Sequence, residues 1–371
     1  MNNKIGIRKP FSVALTFLIS LIAVSTTLIS TATIFSDVTT ISGIDFKHTD
    51  GESGQRLFNE FLGAGGGFFD YDNDGDLDIY LVNGRPQSSP EPDQLPHNRL
   101  YRNNGDDSFT DVTQMTGAGD TGYGIGCTVG DYDNDGNLDL YLTNFGSNVL
   151  YRNSGDGVSD PRFGSSCAFA DVDNDGSVDL YVANYAEYSL ESDKRCEVRG
   201  VWVYCGPHAY PPAEDALYHN NGDGTFSNIS IQMGLLDVPP CHGLGVTFGD
   251  YDNDGDLDIL VINMDALPTL LRNDGGNTKS WLLIELKGNK NISGIGSIVY
   301  VKTGNLTQMR EVRSGNSYAS QNELRTHFGL GDADLVDKIS VKWVSGATSA
   351  LHNIAARQII QIVEPKTNSE N

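Results

Sequence analysis

Positive charge is what this sequence has least of. Its 371 residues hold 25 Lys and Arg against 49 Asp and Glu, a net charge of -24, which repels nucleic acid phosphates and anionic lipid surfaces. A nucleic-acid function is not expected. Long apolar runs are as scarce, because beyond the N-terminus no segment reaches the roughly 20 apolar residues that a bilayer span needs. Catalytic signatures are missing too: there is no HExxH, no G-x-S-x-G and no Gly-rich phosphate loop. The chain is therefore not expected to be an enzyme.

Cysteines number five, an odd count. Cys196 and Cys205 bracket the insertion-like stretch CEVRGVWVYC, where a bridge would staple a loop with little else to hold it. Cys127 and Cys167 each stand four residues before an Asp-rich repeat, so they are either bridged neighbours or small core residues. Cys241 is left over.

What is abundant is aspartate, and it is written in a repeat. The fourteen letters DYDNDGDLDIYLVN from Asp70 return as DYDNDGNLDLYLTN from Asp131, DVDNDGSVDLYVAN from Asp171 and DYDNDGDLDILVIN from Asp250. Carboxylates recur at positions one, three, five and nine: Asp70, Asp72, Asp74 and Asp78; Asp131, Asp133, Asp135 and Asp139; Asp171, Asp173, Asp175 and Asp179; Asp250, Asp252, Asp254 and Asp258. Alternate side chains of a tightly curled loop converge on one point, and hard oxygen donors in that number suit Ca²⁺. Gly75, Gly136, Gly176 and Gly255 permit the sharp turn. Up to four calcium ions are expected. An EF-hand begins alike but needs a Glu at position twelve and flanking helices; here that position is Leu81, Leu142, Val182 or Val261, and the flanks read as strands, Leu77, Ile79 and Leu81 alternating with Asp78 and Tyr80.

A second phrase follows each loop: LYRNNGDDSF from Leu100, LYRNSGDGVS from Leu150, LYHNNGDGTF from Leu217 and LLRNDGGN from Leu270. Each reads as a hairpin around an Asn-Gly type turn. The loop at Asp171 follows its hairpin about ten residues sooner than its neighbours do, which predicts a distorted third site. Four-stranded units of roughly 40 to 50 residues are the signature of an all-β propeller. Residues 35–280 would hold five or six blades by length alone.

From Trp281 the grammar changes to strands without DxDxDG, among them DKISVKWVSG, in which Ile339, Val341 and Trp343 face one way. Residues 281–364 are expected to form a small all-β C-terminal domain, and 365–371 a disordered tail. At the other end, Lys4, Arg8 and Lys9 precede an apolar run and the small residues Ser30, Thr31 and Ala32. Residues 1–34 are either a cleaved export signal or an uncleaved membrane anchor. On either reading the body lies outside the cytoplasm, secreted, periplasmic or at the cell surface, where calcium is plentiful and disulfides persist.

The segments GFFDYDNDGDLDIYLVN and LYRNNGDDSFTDVT resemble FG-GAP/VCBS repeats of integrin-like propellers. Trp281 to Glu364, with GIGSIVYV, RSGNSYASQ, HFGLG and VKWVSG, resembles the ASPIC/UnbV domain, and with CGP after Cys205 the chain is similar to the cartilage acidic protein family. That resemblance implies an extracellular calcium-binding propeller, seven-bladed in integrins, whose ion sites are structural and lie away from the ligand-binding face. The propeller portion is short for seven full blades, and Val344 stands where the family usually has Pro.

Two functions follow. One is a monomeric extracellular interaction or adhesion module for a protein or glycan, touching a membrane only through an N-terminal anchor. The alternative is a carbohydrate-active enzyme, a calcium-assisted polysaccharide lyase in the propeller mouth, with Tyr204, His208, Tyr210 and His242 as the only hint.

Overall fold

The computed structural model describes residues 36–63, 65–86, 95–153, 162–318 and 320–366. The N-terminal signal or anchor and most of the C-terminal tail lie outside them. The chain divides into Met1–Val38 and Thr39–Asn371; the second unit is described below, and it is almost entirely β.

Its first part is a series of antiparallel sheets. Strands β1 (Gly66–Phe69), β2 (Asp78–Leu81), β3 (Arg99–Asn103) and β4 (Phe109–Asp111) form the first, and β5 (Tyr123–Gly130), β6 (Asp139–Phe145) and β7 (Val149–Tyr151) the second. The third is β8 (Gly164–Ala170), β9 (Asp179–Asn184), β12 (Ala216–Asn220) and β13 (Phe226–Asn228), with the hairpin β10 (Cys196–Val198) and β11 (Val201–Val203), a two-stranded sheet of its own, inserted between β9 and β12. The fourth is β14 (Gly243–Gly249), β15 (Asp258–Asn263) and β16 (Thr269–Leu271). Each sheet is one repeat: a glycine-rich lead-in strand, the Asp loop, the apolar strand and the hairpin. The lead-in strands β1, β5, β8 and β14 are neighbours in that order, which gives a propeller-like fan.

Four sheets are seen among the described residues, not five or six. Residues 39–62 and 185–213 consume the length without building blades. The lead-in crosses the fan so that Phe58 stacks on Tyr185 at 5.5 Å and meets Phe163, Tyr188 and Tyr210. These rings share a core with Tyr123 and Ile125 at the start of β5. Cys196 and Cys205 are bridged as expected, while Cys127 and Cys167 are free and buried in β5 and β8, and Cys241 is free.

The second part is a β-sandwich. Strand β17 (Ser280–Lys287) lies between β20 (Thr326–Gly331) and β23 (Gln358–Val363), and β18 (Ile298–Thr303) lies between β19 (Leu306–Glu311) and β21 (Leu335–Lys342), with β22 (Thr348–Ala355) outside β21. Leu282, Ile284, Val299, Val301, Phe328, Ile339, Val341 and Trp343 fill the space between the two sheets, each burial contributing about 1.5–3 kcal/mol for side chains of this kind. The inward set of β21 is the one its alternation predicts.

The sandwich lies against the blades through the segment between β19 and β20. Asn316 Oδ1 accepts the Thr128 hydroxyl on β5 at 2.5 Å, and Ser317 Oγ accepts the Cys167 N–H on β8 at 2.9 Å. Asn322 Oδ1 accepts the Phe248 N–H on β14 at 2.9 Å. One end of the lead-in strands is thus filled by aromatic rings and the other is covered by this strap.

Candidate metal centres

The four Asp loops share one hydrogen-bond skeleton. The first Asp uses Oδ2 to accept the N–H of the loop glycine, at 2.9 Å for Asp70, 3.2 Å for Asp131, 3.0 Å for Asp171 and 3.1 Å for Asp250. Those glycines sit at φ between 90° and 100°, and the Asn two residues before each is also left-handed, a conformation open to Gly and tolerated by Asn. The ninth Asp closes the loop on itself: its Oδ2 accepts the N–H of the second residue, as in Tyr71 to Asp78 at 2.9 Å and Val172 to Asp179 at 3.0 Å. The third loop keeps every one of these bonds. The distortion expected from its short lead-in is not seen in these bonds.

One ligand atom each of Asp70, Asp72 and Asp78 lies within 4.8 Å of the others, and the same holds for Asp131, Asp133 and Asp139, for Asp171, Asp173 and Asp179, and for Asp250, Asp252 and Asp254. Asp74, Asp135, Asp175 and Asp258 stand outside these four groups. Each fifth-position carboxylate, Asp74, Asp135, Asp175 and Asp254, accepts the N–H two residues on, at 2.7–3.0 Å.

Crowding carboxylates in a partly buried loop raises their proton affinity. Burial, with Asp133 and Asp131 adding like charge, pushes Asp139 up to about 7. Burial likewise lifts Asp78 to about 6 and Asp131 to about 6. Asp131 Oδ1 is buried and has no hydrogen-bond partner. A divalent cation held by oxygen donors fits this set: it would answer both the uncompensated charge and the orphaned acceptor.

Sequence reasoning read the ninth Asp as a ligand alone. The structure gives it a second task, for its Oδ1 accepts the backbone N–H of the hairpin Asn in its own blade: Asn103 to Asp78 at 2.8 Å, Asn153 to Asp139 at 2.8 Å, Asn220 to Asp179 at 2.9 Å and Asn273 to Asp258 at 2.9 Å. On β2 the buried residues are Asp78 and Tyr80 rather than the aliphatic set. Loop and hairpin are therefore built around the carboxylate.

Further contributors around the loops were not read as site residues from sequence. His219 stands in LYHNN where the other hairpins have Arg102, Arg152 or Arg272. Its Nδ1 is 3.0 Å from Asp179 Oδ1 and 3.6 Å from Asp173 Oδ2, and that contact lifts it to about 9. Arg325 donates to Asp250 O and to Asn253 Oδ1, both at 2.7 Å, while Glu323 Oε1 accepts the Asp250 N–H at 2.9 Å. His327 is buried at the same loop, its Nε2 3.2 Å from Gly255 O.

Of the residues behind the lyase alternative, the His208 and His242 rings lie 5.6 Å apart, edge to face. The Tyr210 hydroxyl donates to Asp193 Oδ1 at 3.0 Å and accepts the Lys194 N–H at 3.1 Å, and His242 Nε2 is 3.1 Å from Tyr210 O. His208 is exposed beside Asp265, and Tyr204 is half-buried.

Comparison with known proteins agrees with this architecture. The FG-GAP-like repeat model matches residues 70–142, 131–182 and 203–261, and the ASPIC and UnbV model matches 287–369. The chain is an FG-GAP repeat protein with a C-terminal ASPIC and UnbV domain. It belongs to the cartilage acidic protein-like family that joins these modules. It is 24% identical to cartilage acidic protein 1 of Homo sapiens over 72% of this chain, and 25% identical to that of Xenopus tropicalis over 67%. It spans about 40% of the length of those relatives, 40% and 38% respectively. Among solved structures it is similar to the V. cholerae biofilm matrix protein Bap1, with a TM-score of 0.27 at 12% identity, covering 78% of this chain and 59% of that one.

Proposed function

We propose that this protein is an exported, calcium-binding interaction module whose ions are structural and whose partner is an extracellular protein or glycan. The observation that carries the calcium reading is the fourfold loop with its crowded carboxylates and, in the second copy, the buried and unpartnered Oδ1 of Asp131. When bound, a calcium ion supplies the positive charge that the loops lack. Everything else is the work of the chain: the glycine turns the backbone, the first and ninth Asp hold the loop closed, and the hairpin Asn keeps the blade seated on it.

Export is supported by the charge and apolarity order of the N-terminus and by the Cys196–Cys205 bridge. An open cleft of about 680 Å³ between β1 and the strap is the surface offered to a partner. There Phe68 and Leu77 are exposed beside Ile295, Arg313 and Asn316, an aromatic face among hydrogen-bonding groups that suits a saccharide ring.

The test is a thermal melt of the full chain in millimolar calcium and in chelator, with bound calcium counted by titration. Three to four ions per chain and a higher melting temperature with calcium are expected; no bound metal and no shift would end the calcium reading. A glycan panel on wild type and Phe68→Ala then tests the cleft, and binding that ignores the substitution would place the partner elsewhere.

A further inference from the structure

The four blades pack back to front, and each inner interface uses the same positions. Across the apolar strand and the hairpin strand every blade sets one pair on its back: Tyr80 with Leu100, Tyr141 with Leu150, Tyr181 with Leu217 and Leu260 with Leu270. In the first three blades that leucine lies in the core shared with the next blade and is 3%, 2% and 1% exposed. Leu270 is 55% exposed, and Ile262, two residues along β15 from Leu260, is exposed too. The front faces show the same break. Val129, Phe169 and Phe248 on the lead-in strands pack into the core shared with the blade before. Their counterpart on β1, Phe68, pairs with Ile79 and is 61% exposed.

The series therefore ends in two unmatched faces. The lead-in strands touch in the order β1, β5, β8, β14, and no comparable contact returns from β14 to β1 among the described residues. The side-chain amides break off at the same two places. Asn153, Asn220 and Asn273 each donate to the second-residue carbonyl of the loop before, Tyr71 O, Tyr132 O and Val172 O. Asn103 in the first blade reaches only its own Leu77 O, at an exposed site. Tyr251, whose carbonyl holds the matching place in the fourth loop, is exposed and receives no such amide among the described residues. Residues 42–45 cover the rim of the first front, where Asp45 Oδ1 accepts from Arg99 and from Tyr101, both at 2.8 Å, and they leave Phe68 open.

We propose that copies of this chain associate head to tail, the back of the fourth blade of one on the front of the first blade of the next. Leu270 and Ile262 then cover Phe68 and Ile79, and the Asn103 amide gains the Tyr251 carbonyl. Continuity names the occupant: the three inner interfaces already join backs and fronts of this kind, and a second copy carries one of each. Two different faces meet, so the contact is heterologous and either closes a ring or runs on. Joining also removes from water two apolar patches that a solitary chain leaves exposed. Phe68 belongs to the cleft offered above to a saccharide, so copy and saccharide are alternative occupants of that front.

The test is the mass of the full chain by analytical ultracentrifugation at tens of micromolar, in about 0.15 M salt, which screens the repulsion between chains of net charge -24. The variants are Phe68→Glu, which blocks the front, and Leu270→Glu, which blocks the back; both side chains are exposed in the single chain, so both variants are expected to fold. Wild type is expected to sediment as a dimer or larger and each variant alone as a monomer. An equimolar mixture of the two variants is expected to give a dimer, because the intact back of Phe68→Glu meets the intact front of Leu270→Glu. A monomeric wild type, variants that associate as wild type does, or a mixture that stays monomeric overturns the proposal. A glycan panel on Leu270→Glu keeps the readings apart: no saccharide binding there defeats the cleft reading alone, and the masses decide this one.

Discussion

The side-chain amide of Asn220 donates to the carbonyl of Tyr132 at 2.6 Å, joining the hairpin of the third blade to the Asp loop of the second. The same bond runs from Asn153 to Tyr71 O at 2.6 Å and from Asn273 to Val172 O at 2.7 Å. Each of these amides also reaches the eighth residue of its own loop. One side chain thus ties its blade to the loop before it.

Asn220→Ala should therefore cost about 1–3 kcal/mol in urea unfolding, because it leaves buried carbonyls without a donor. Asn103→Ala should cost less, since Asn103 belongs to the first blade and its amide serves only Leu77 O, at an exposed site. Equal losses in the two variants would refute the inter-blade role.

Gly75 and Gly255 occupy the same loop position, both at φ of 98°. An alanine at either is strained by about 1–2 kcal/mol. At Gly75 an added Cβ meets open space, whereas at Gly255 it would fall 1.9 Å from Trp281 Cε2 in the C-terminal sandwich. Gly255→Ala should destabilise the chain by about 1–3 kcal/mol more than Gly75→Ala, from overpacking, and so melt at a lower temperature. Matching melts would mean that the sandwich does not rest on the fourth loop.

In the second and third loops the left-handed Asn donates to the glycine carbonyl of the next loop, Asn134 to Gly176 O at 3.0 Å and Asn174 to Gly255 O at 3.2 Å. The fourth loop meets the strap, and Arg325 bonds to its Asn253. Arg325→Ala should destabilise the chain by about 1.5–3 kcal/mol and shrink the stabilisation expected of calcium under the proposed function. A wild-type response to calcium in this variant would show the fourth loop to be independent of the strap.

Metal-free protein should lose stability as pH rises. Burial raises Asp78, Asp131 and Asp139 to about 6, 6 and 7, above the ordinary value of 3.8. Between those limits the folded chain holds protons that the unfolded chain has released, so stability falls from about pH 4 to pH 7. His219, raised to about 9 by Asp179, extends the fall as its own stabilising charge is lost. Under the proposed calcium binding the ion would compete with the protons, so in millimolar calcium the slope should flatten or reverse. Melts across pH 4.5–9 in chelator that climb with pH would contradict this.

Much of the architecture is legible in the chain because it is local. The nine-residue loop grammar depends on residues that touch within a few positions, so a left-handed glycine and alternate aspartates announce their own turn. The Cys196–Cys205 bridge closes a short stretch, and the inward face of β21 follows from a two-residue period. The number of blades was less legible. Length was counted as blade, yet residues 39–62 cover one end of the fan and residues 185–213 form an aromatic, disulfide-bearing insertion.

Other assignments depend on distance along the chain. The pattern around Asp78 reads as that of a ligand, but only the packed sheet turns that carboxylate inward and places the Asn103 N–H on it. Nothing local in Asn153, Asn220 or Asn273 tells which carbonyl each amide will meet, because the acceptors lie 82, 88 and 101 residues away. Likewise the strap residue Arg325 comes to Asn253 across 72 residues. Repetition and period set the loops, strands and turns, since those answer to neighbouring residues; the blade-to-blade amides, the seat of the sandwich and the imidazole beside Asp179 exist only once the sheets have packed and made remote residues adjacent.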